Sequence, residues 1–296
     1  MKNLLTRTIT GALFVIIFIS SIMFSEYTFV ALFLFIIIIA MLEFYRTALI
    51  ERVRSQMYYG IFLGVSLFVL NYLYAKKLIE APIFLILIPL FLFTFIFELY
   101  KDNKRPFTNI AFTFLGIIYI ALPFSLFNHL VFEIQKVVPE VLNPELEEIA
   151  NNLKPYDIKE VNIEYTPYVI LLFFIFQWAY DTFAYLFGIT IGRNRLFESV
   201  SPKKSWEGAI GGAIATIGLA YLISQYTDVM STVDMMVVAS IIVLFGTYGD
   251  LVESLYKRSL GIKDSGNILP GHGGILDRFD STIMAAPIVF VYLQLF

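Results

Sequence analysis

The sequence predicts an all-α, polytopic integral membrane protein, and three observations carry that prediction. Of 296 residues, 58% are hydrophobic and only 15% charged, with a mean hydropathy of +0.77, whereas soluble domains carry roughly 25% charged residues. The apolar residues gather into about nine stretches, each close to the roughly 20 residues that a helix needs to cross a bilayer core. The basic residues fall between these stretches with a strong bias to one side.

In order, the predicted spans run approximately over 7–25, 27–45, 57–75, 80–100, 109–132, 167–192, 207–225, 233–256 and 279–296. The first follows Met1, Lys2 and Arg7 and has the outline of a signal peptide. No small-residue cleavage site is evident and further spans follow at once, so it reads as a transmembrane helix. Pro123, inside the fifth stretch, predicts a kink in a buried helix whose neighbours satisfy the freed carbonyl. With the N-terminus inside, 16 of the 21 lysines and arginines lie on the inner side, which predicts N-terminus inside and C-terminus outside. Residues 133–166 carry eight acids against three lysines, with Pro139, Pro144 and Pro155. They read as an external, partly helical connection, with a helix start at Pro144 and acids in its first turn. The organisation is therefore helices 1–5 in residues 1–132, the acidic connection in 133–166, and helices 6–9 with their inner loops in 167–296. No cysteine is present, so a metal here is held by oxygen or by His129 or His272, which favours a hard cation such as Mg²⁺.

The charged residues of the last third carry the chemistry. Asp181 lies within the sixth span, on one side of the helix with Tyr185, Gly188 and Gly192. An ionisable group there is a functional candidate by default, the alternative being a structural hydrogen bond between helices. Gly188-x-x-x-Gly192 and Gly208-x-x-x-Gly212 predict close helix packing. The inner connection holds Arg193, Arg195 and then Ser201-Pro-Lys203-Lys204-Ser205-Trp206-Glu207-Gly208. Paired lysines at a membrane boundary are commonly topology signals or headgroup contacts. Here they precede an apparent helix N-terminus, whose free N–H groups favour phosphate. Trp206 can equally be an interfacial anchor.

The eighth span places Asp250, Glu253 or Ser254, and Lys257 along one face, and Asp277 and Asp280 share a face at the start of the ninth. Between them lie Arg258, Lys263, Asp264 and Pro270-Gly-His272-Gly273-Gly274, followed by Arg278. Carboxylates from two helices can chelate one or two hard cations, the cations can pair with phosphate, and the glycines let backbone N–H groups approach an anion. The competing reading pairs Asp277 or Asp280 with Arg278 or Lys257 as interfacial salt bridges. His272 either donates to a phosphate or stabilises its turn. His129, beside Asn128 in an apolar span, reads as an interhelical hydrogen-bond partner, and Glu43 with Arg46 as an i,i+3 pair. No P-loop, dinucleotide fingerprint, HExxH or GxSxG motif is present.

The run from Ser254 through Lys257-Arg258, Lys263-Asp264 and Pro270-Gly-His-Gly-Gly-Ile-Leu-Asp277-Arg-Phe-Asp280 resembles the signature of the phosphatidate cytidylyltransferase, or CDP-diacylglycerol synthase, family. Ser201–Gly208 and the segment after Asp181 resemble it too, while the first five spans are similar mainly in hydropathy. The resemblance implies attack of phosphatidic acid on CTP to give CDP-diacylglycerol and pyrophosphate, in a bacterial inner membrane with the site facing the cytoplasm. It also implies Mg²⁺ in a one- or two-metal centre, a homodimer among membrane lipids, and no nucleic-acid partner. By similarity Asp250 and Asp277 hold the metal, with Asp280 as a further ligand or support, and Lys257 and Arg278 complete the catalytic set. Ser201, Lys203, Lys204, Ser254, Arg258, Lys263, Asp264, His272, Gly273, Gly274 and Asp181 are the expected substrate contacts. The residue chemistry agrees, because the nucleophile is already an anion and the protein need only align and neutralise two polyanions. Two other readings compete. A CTP-dependent polyprenol or dolichol kinase would move the γ-phosphate to a lipid hydroxyl through a general base. A transporter or ion channel would line a cation path with Asp181 and Asp250, but leaves the glycine-rich loop and clustered cations unexplained.

Overall fold

A computed structural model describes residues 2–136, 161–268 and 273–296. The sequence's apolar stretches become helices: α1 (Lys2–Phe24), α2 (Glu26–Ala48), α3 (Met57–Ala75), α4 (Leu87–Leu99, entered through a 3₁₀ turn at Ala81–Ile86), α5 (Pro106–Gly116) and α6 (Leu122–Leu126). After residues 137–160 come α7 (Tyr168–Ile191), α8 (Trp206–Ser224), α9 (Thr232–Ser259) and α10 (Leu276–Leu295). Seven of the resulting helical spans are long and apolar enough to cross a membrane, and Thr10–Phe24 adds a shorter apolar segment. The protein is thus an all-α polytopic membrane protein. The last helix, α10, carries Asp277, Arg278 and Asp280 in its first turns.

Several sequence expectations are refined. The fifth span is one path built of four pieces, in which a π-helix at Ile117–Ala121 runs into Pro123 at the head of α6. Proline cannot donate within the helical ladder, and the wider π turn takes up the mismatch. The ninth helix begins at Leu276 and the eighth reaches Ser259, so Lys257, Arg258, Asp277 and Arg278, which the expected boundaries left outside the spans, lie within helices. The ends of the 133–166 connection pair as an antiparallel hairpin, β1 (Phe132–Lys136) with β2 (Val161–Tyr165). The helix expected at Pro144 lies outside the described residues. The 193–206 connection, expected as a loop, forms a second hairpin of β3 (Arg195–Phe197) and β4 (Ser201–Ser205).

The first helices bury rings. Phe18, Phe33, Phe124, Phe127 and Phe174 form one cluster of edge-to-face and tilted ring pairs with centroids 4.6–6.2 Å apart, distances within the favourable range for aromatic pairs. Phe279 of α10 enters the same cluster, 5.8 Å from Phe18 and 5.6 Å from Phe124, which anchors the helix carrying Asp277 and Asp280. His129 is bonded as expected, its Nε2 lying 2.9 Å from Asn71 Oδ1 of α3.

The last helices pack backbone to backbone instead. A Cβ on Gly208 would lie 2.7 Å from the Ala184 carbonyl oxygen and 3.0 Å from Gly188 Cα, and one on Gly212 would lie 2.9 Å from the Ala184 nitrogen. The expected small-residue seam is therefore real. Gly249 makes a similar contact between α9 and α10, where a Cβ would stand 2.5 Å from the Asp280 carbonyl oxygen.

Candidate active site

The α9–α10 contact at Gly249 puts Asp250 and Asp280, its neighbours in sequence and in space, at one end of the helix group. Asp280 lies within electrostatic range of Asp250, Asp181 and Lys204. Lys204, on β4, forms an ion pair with Asp250, whose other oxygen accepts from the Ser254 hydroxyl at 3.2 Å. Asp181 of α7 faces this group, within range of Lys204, Asp250 and Arg278. Three carboxylates and one ammonium from four elements thus interact electrostatically, with Lys204 and Asp250 in direct contact.

The β3–β4 hairpin is what brings Lys204 there. Ser205 caps α8 by accepting from the Gly208 N–H at 3.1 Å, and Glu207 turns back to accept from the Arg193 N–H at 3.0 Å and the Asn194 side-chain amide at 2.7 Å. The helix N-terminus read from Ser-Trp-Glu-Gly is present, but its Gly208 N–H is taken by Ser205. Ser201 is half-buried, Lys203 exposed.

A second cluster lies beside the first. Lys257 is only 12% exposed and bridges Glu253 Oε2 at 2.5 Å and Asp277 Oδ1 at 2.7 Å. Asp277 also accepts from the Ser265 N–H at 2.9 Å and the Gly274 N–H at 2.8 Å. Asp277 thus makes one of the ion pairs read from the sequence, that to Lys257. Gly273 has φ +83, a left-handed conformation that favours glycine, and a Cβ there would meet Asp277 at 2.8 Å. Arg258 bonds to the Ile262 carbonyl at 3.3 Å, while Lys263 and Asp264 of the loop and Arg278 of α10 are exposed. His272 lies outside the described residues.

Glu43 is the residue that sequence reasoning misread. Expected to pair with Arg46, it points away from that exposed arginine and accepts from the Ile275 N–H at 3.1 Å and the Leu276 N–H at 2.9 Å. Its charge in an apolar helix was the available signal.

The donor set suits a hard cation, being all oxygen. Among the described residues no three acids close on one point. That is compatible with Mg²⁺, which is commonly held by one or two carboxylates together with substrate phosphates. Asp250 and Asp280 are the pair that the packing brings together, and Asp277 joins them only by exchanging Lys257.

An apolar cavity is walled by residues close in sequence to these groups. Tyr180, Trp206, Ala213, Leu244, Thr247 and Leu251 are among its walls, so it lies along α7, α8 and α9, with Tyr180 next to Asp181 and Leu251 next to Asp250 in the chain.

Fold and site together define an integral membrane protein with a carboxylate and ammonium cluster at one end of its helices and an apolar cavity along three of them. The chain belongs to the cytidylyltransferase family, whose pattern it matches over residues 5–296. It is similar to proteins named phosphatidate cytidylyltransferase: 32% identical over 194 residues to one from Staphylococcus epidermidis, covering 65% of this chain and 62% of that one. Identity rises to 40% over 139 residues for Staphylococcus saprophyticus, covering 47% of this chain and 52% of the relative. For Staphylococcus haemolyticus it is 44% over 125 residues, covering 42% and 48%. The matched chain therefore spans less than two thirds of these relatives' own length.

Proposed function

We propose that this protein transfers a cytidylyl group from CTP to the phosphate of phosphatidic acid, giving CDP-diacylglycerol and pyrophosphate. The observation that carries the reading is the pairing of an apolar cavity with the Asp181, Lys204, Asp250 and Asp280 group, in which Asp181 and Asp250 are chain neighbours of cavity-wall residues. A lipid needs the first for its chains, and two phosphorylated substrates need the second. A lipid phosphate oxygen forms the new bond to the α-phosphorus, the bond from that phosphorus to the β-phosphate bridging oxygen breaks, and pyrophosphate leaves with the electron pair. No side chain need accept a proton from the nucleophile, which is already an anion.

The protein's task is alignment and charge neutralisation. Lys204 and Lys257 are ammonium groups already held in place by carboxylates, and the exposed Lys203, Lys263, Arg258 and Arg278 add further cations. Mg²⁺, held by Asp250 and Asp280 with Asp277 as the further candidate, would neutralise charge on the polyphosphate. The site opens to the cytoplasm of a bacterial inner membrane, a placement supported by the 16 of 21 basic residues on that side.

CTP labelled at the α-phosphate is expected to yield labelled lipid, and CTP labelled at the γ-phosphate labelled pyrophosphate. Lipid labelled from the γ-position would establish a kinase instead. Orientation is tested by cysteine labelling, since the native chain has none. Ser201→Cys is expected to react with an impermeant thiol reagent only after the membrane is opened, and Glu80→Cys in intact cells. The reverse pattern would place the motif side outside and remove the cytoplasmic nucleotide from the reading.

A further inference from the structure

An ionised carboxylate within a membrane-spanning helix is costly unless its oxygens are matched by donors. Glu43, on α2, is only 5% exposed. Its donors come from the other end of the chain, 222 to 233 residues away. Oε1 accepts from the Ile275 N–H and Oε2 from the Leu276 N–H, two of the N–H groups that the start of α10 leaves without a partner in its own helix. The Ser265 hydroxyl adds a longer contact of 3.4 Å to Oε2. The loop is also shaped to this carboxylate. A Cβ on Gly274 would lie 2.5 Å from Glu43 Oε2, and one on Gly266 would run into Glu43 Oε1.

Asp277 grips the same loop from the other side, through the N–H groups of Ser265 and Gly274. The two carboxylates therefore share the ends of one loop, and Asp277 connects that loop to Lys257. A second contact sets the register of α2 against α9. The Tyr256 ring stacks on Phe44 at 5.3 Å, and its hydroxyl lies 2.9 Å from the Thr47 hydroxyl. By contrast Glu98, another buried acid of the first half, finds its donors within that half, in Gln56, Asn103 and Asn109.

We infer that Glu43 is a positioning residue for the reaction: from the first half of the chain it fixes Ser265 and Gly274–Leu276, and with them Asp277 and Lys257, in the arrangement that receives the nucleotide. This rests on the reading of that loop as part of the CTP site. Glu43 itself touches no reacting atom, and its effect passes through the loop.

The test uses the purified full chain in three variants, followed by amide hydrogen exchange over 262–278 and by steady-state kinetics. Glu43→Gln keeps one acceptor but sets an amide N–H₂ against a backbone N–H. Exchange at the 265 and 274–276 amides is expected to accelerate, and kcat to fall by about 10- to 100-fold, the scale of a small misplacement of reacting groups. The KM for CTP is expected to rise while that for phosphatidic acid stays within about twofold, because the apolar cavity lies on other helices. A merely structural role would reduce the active fraction and leave both KM values alone. Gly266→Ala, which displaces Glu43 without removing it, is expected to act in the same direction to a smaller extent, and it carries the test if Glu43→Gln does not fold. Glu98→Gln is expected to lower thermal stability with wild-type exchange in the loop and wild-type KM for CTP. Wild-type loop exchange and wild-type KM for CTP in Glu43→Gln, or in Gly266→Ala should that variant alone fold, would overturn the inference. Failure of the wild-type protein to move the α-label into lipid would instead reject the proposed reaction, and the exchange data would still decide the contact.

Discussion

Where α1, α2 and α6 meet, the buried side chains are Phe18, Phe29, Phe33 and Phe124; where α7 meets α8 and α9 meets α10, the contact surface is Gly188, Gly208, Gly212 and Gly249. Rings hold helix axes apart and fill the gap with apolar contact. Bare backbone lets axes close in, and the residues flanking each glycine are carried across the seam. Ser205 and Lys204 flank one such contact, Asp250 and Asp280 the other. The difference teaches that the first half is a frame and the second a device for bringing charges together, with Glu43 as the frame's hold on the device.

The largest effect expected from breaking this comparison is at Asp250. Asp250→Asn leaves the Gly249 seam intact but removes the charge that holds Lys204, so turnover is expected to fall by about 10²- to 10³-fold. Size-exclusion profile and melting temperature are expected to stay near wild type. Turnover close to wild type would remove Asp250 from the site.

Next comes a matched pair of packing changes. Gly249→Ala drives a methyl into the Asp280 carbonyl and is expected to cost about 1–3 kcal/mol. Because the same shift separates Asp250 from Asp280, it is also expected to lower kcat by about tenfold or more. Phe33→Leu loosens the aromatic cluster by a comparable 1–2 kcal/mol or so, with kcat of the folded fraction unchanged. Thermal melts and active-site-normalised kinetics on both variants decide the point; an equal loss of kcat would show that the two halves do not differ in this way.

The smallest effect is expected at the end of α2 remote from Glu43. Lys76 and Glu26 pair at 2.7 Å, with side chains 24% and 17% exposed, and partly exposed pairs of this kind contribute about 0–1 kcal/mol. Lys76→Met is expected to shift the melting temperature slightly and leave turnover alone. A large kinetic effect would mean that charges of the first half do more than hold it together.

The spans were legible because length and apolarity are read along the chain, and so were the glycine seams, whose spacing is local. The start of α8 was legible from Ser205 and Glu207 for the same reason. What stayed hidden depends on partners distant in sequence. Nothing within a few residues of Glu43 announces Ile275 and Leu276, whereas Arg46 is one turn away and offers an obvious but unused mate. Lys257 could have served a phosphate or a carboxylate on pattern alone, and only the approach of α10 selects Asp277. The β3–β4 hairpin escaped notice because Ser201-Pro-Lys-Lys-Ser has none of the apolar alternation that marks a strand.

Glu253 and Lys257 stand one turn apart on the same helix, so their 2.5 Å pairing needs no other part of the protein. During synthesis α9 emerges before α10, and an unpaired charge in an inserting helix is costly. By carrying its own counter-ion, α9 can enter the lipid as a nearly neutral segment while Asp277 has yet to be made. The later arrival of α10 then converts a local pair into a tie between helices, so that the order of translation becomes the order in which this end of the molecule is assembled.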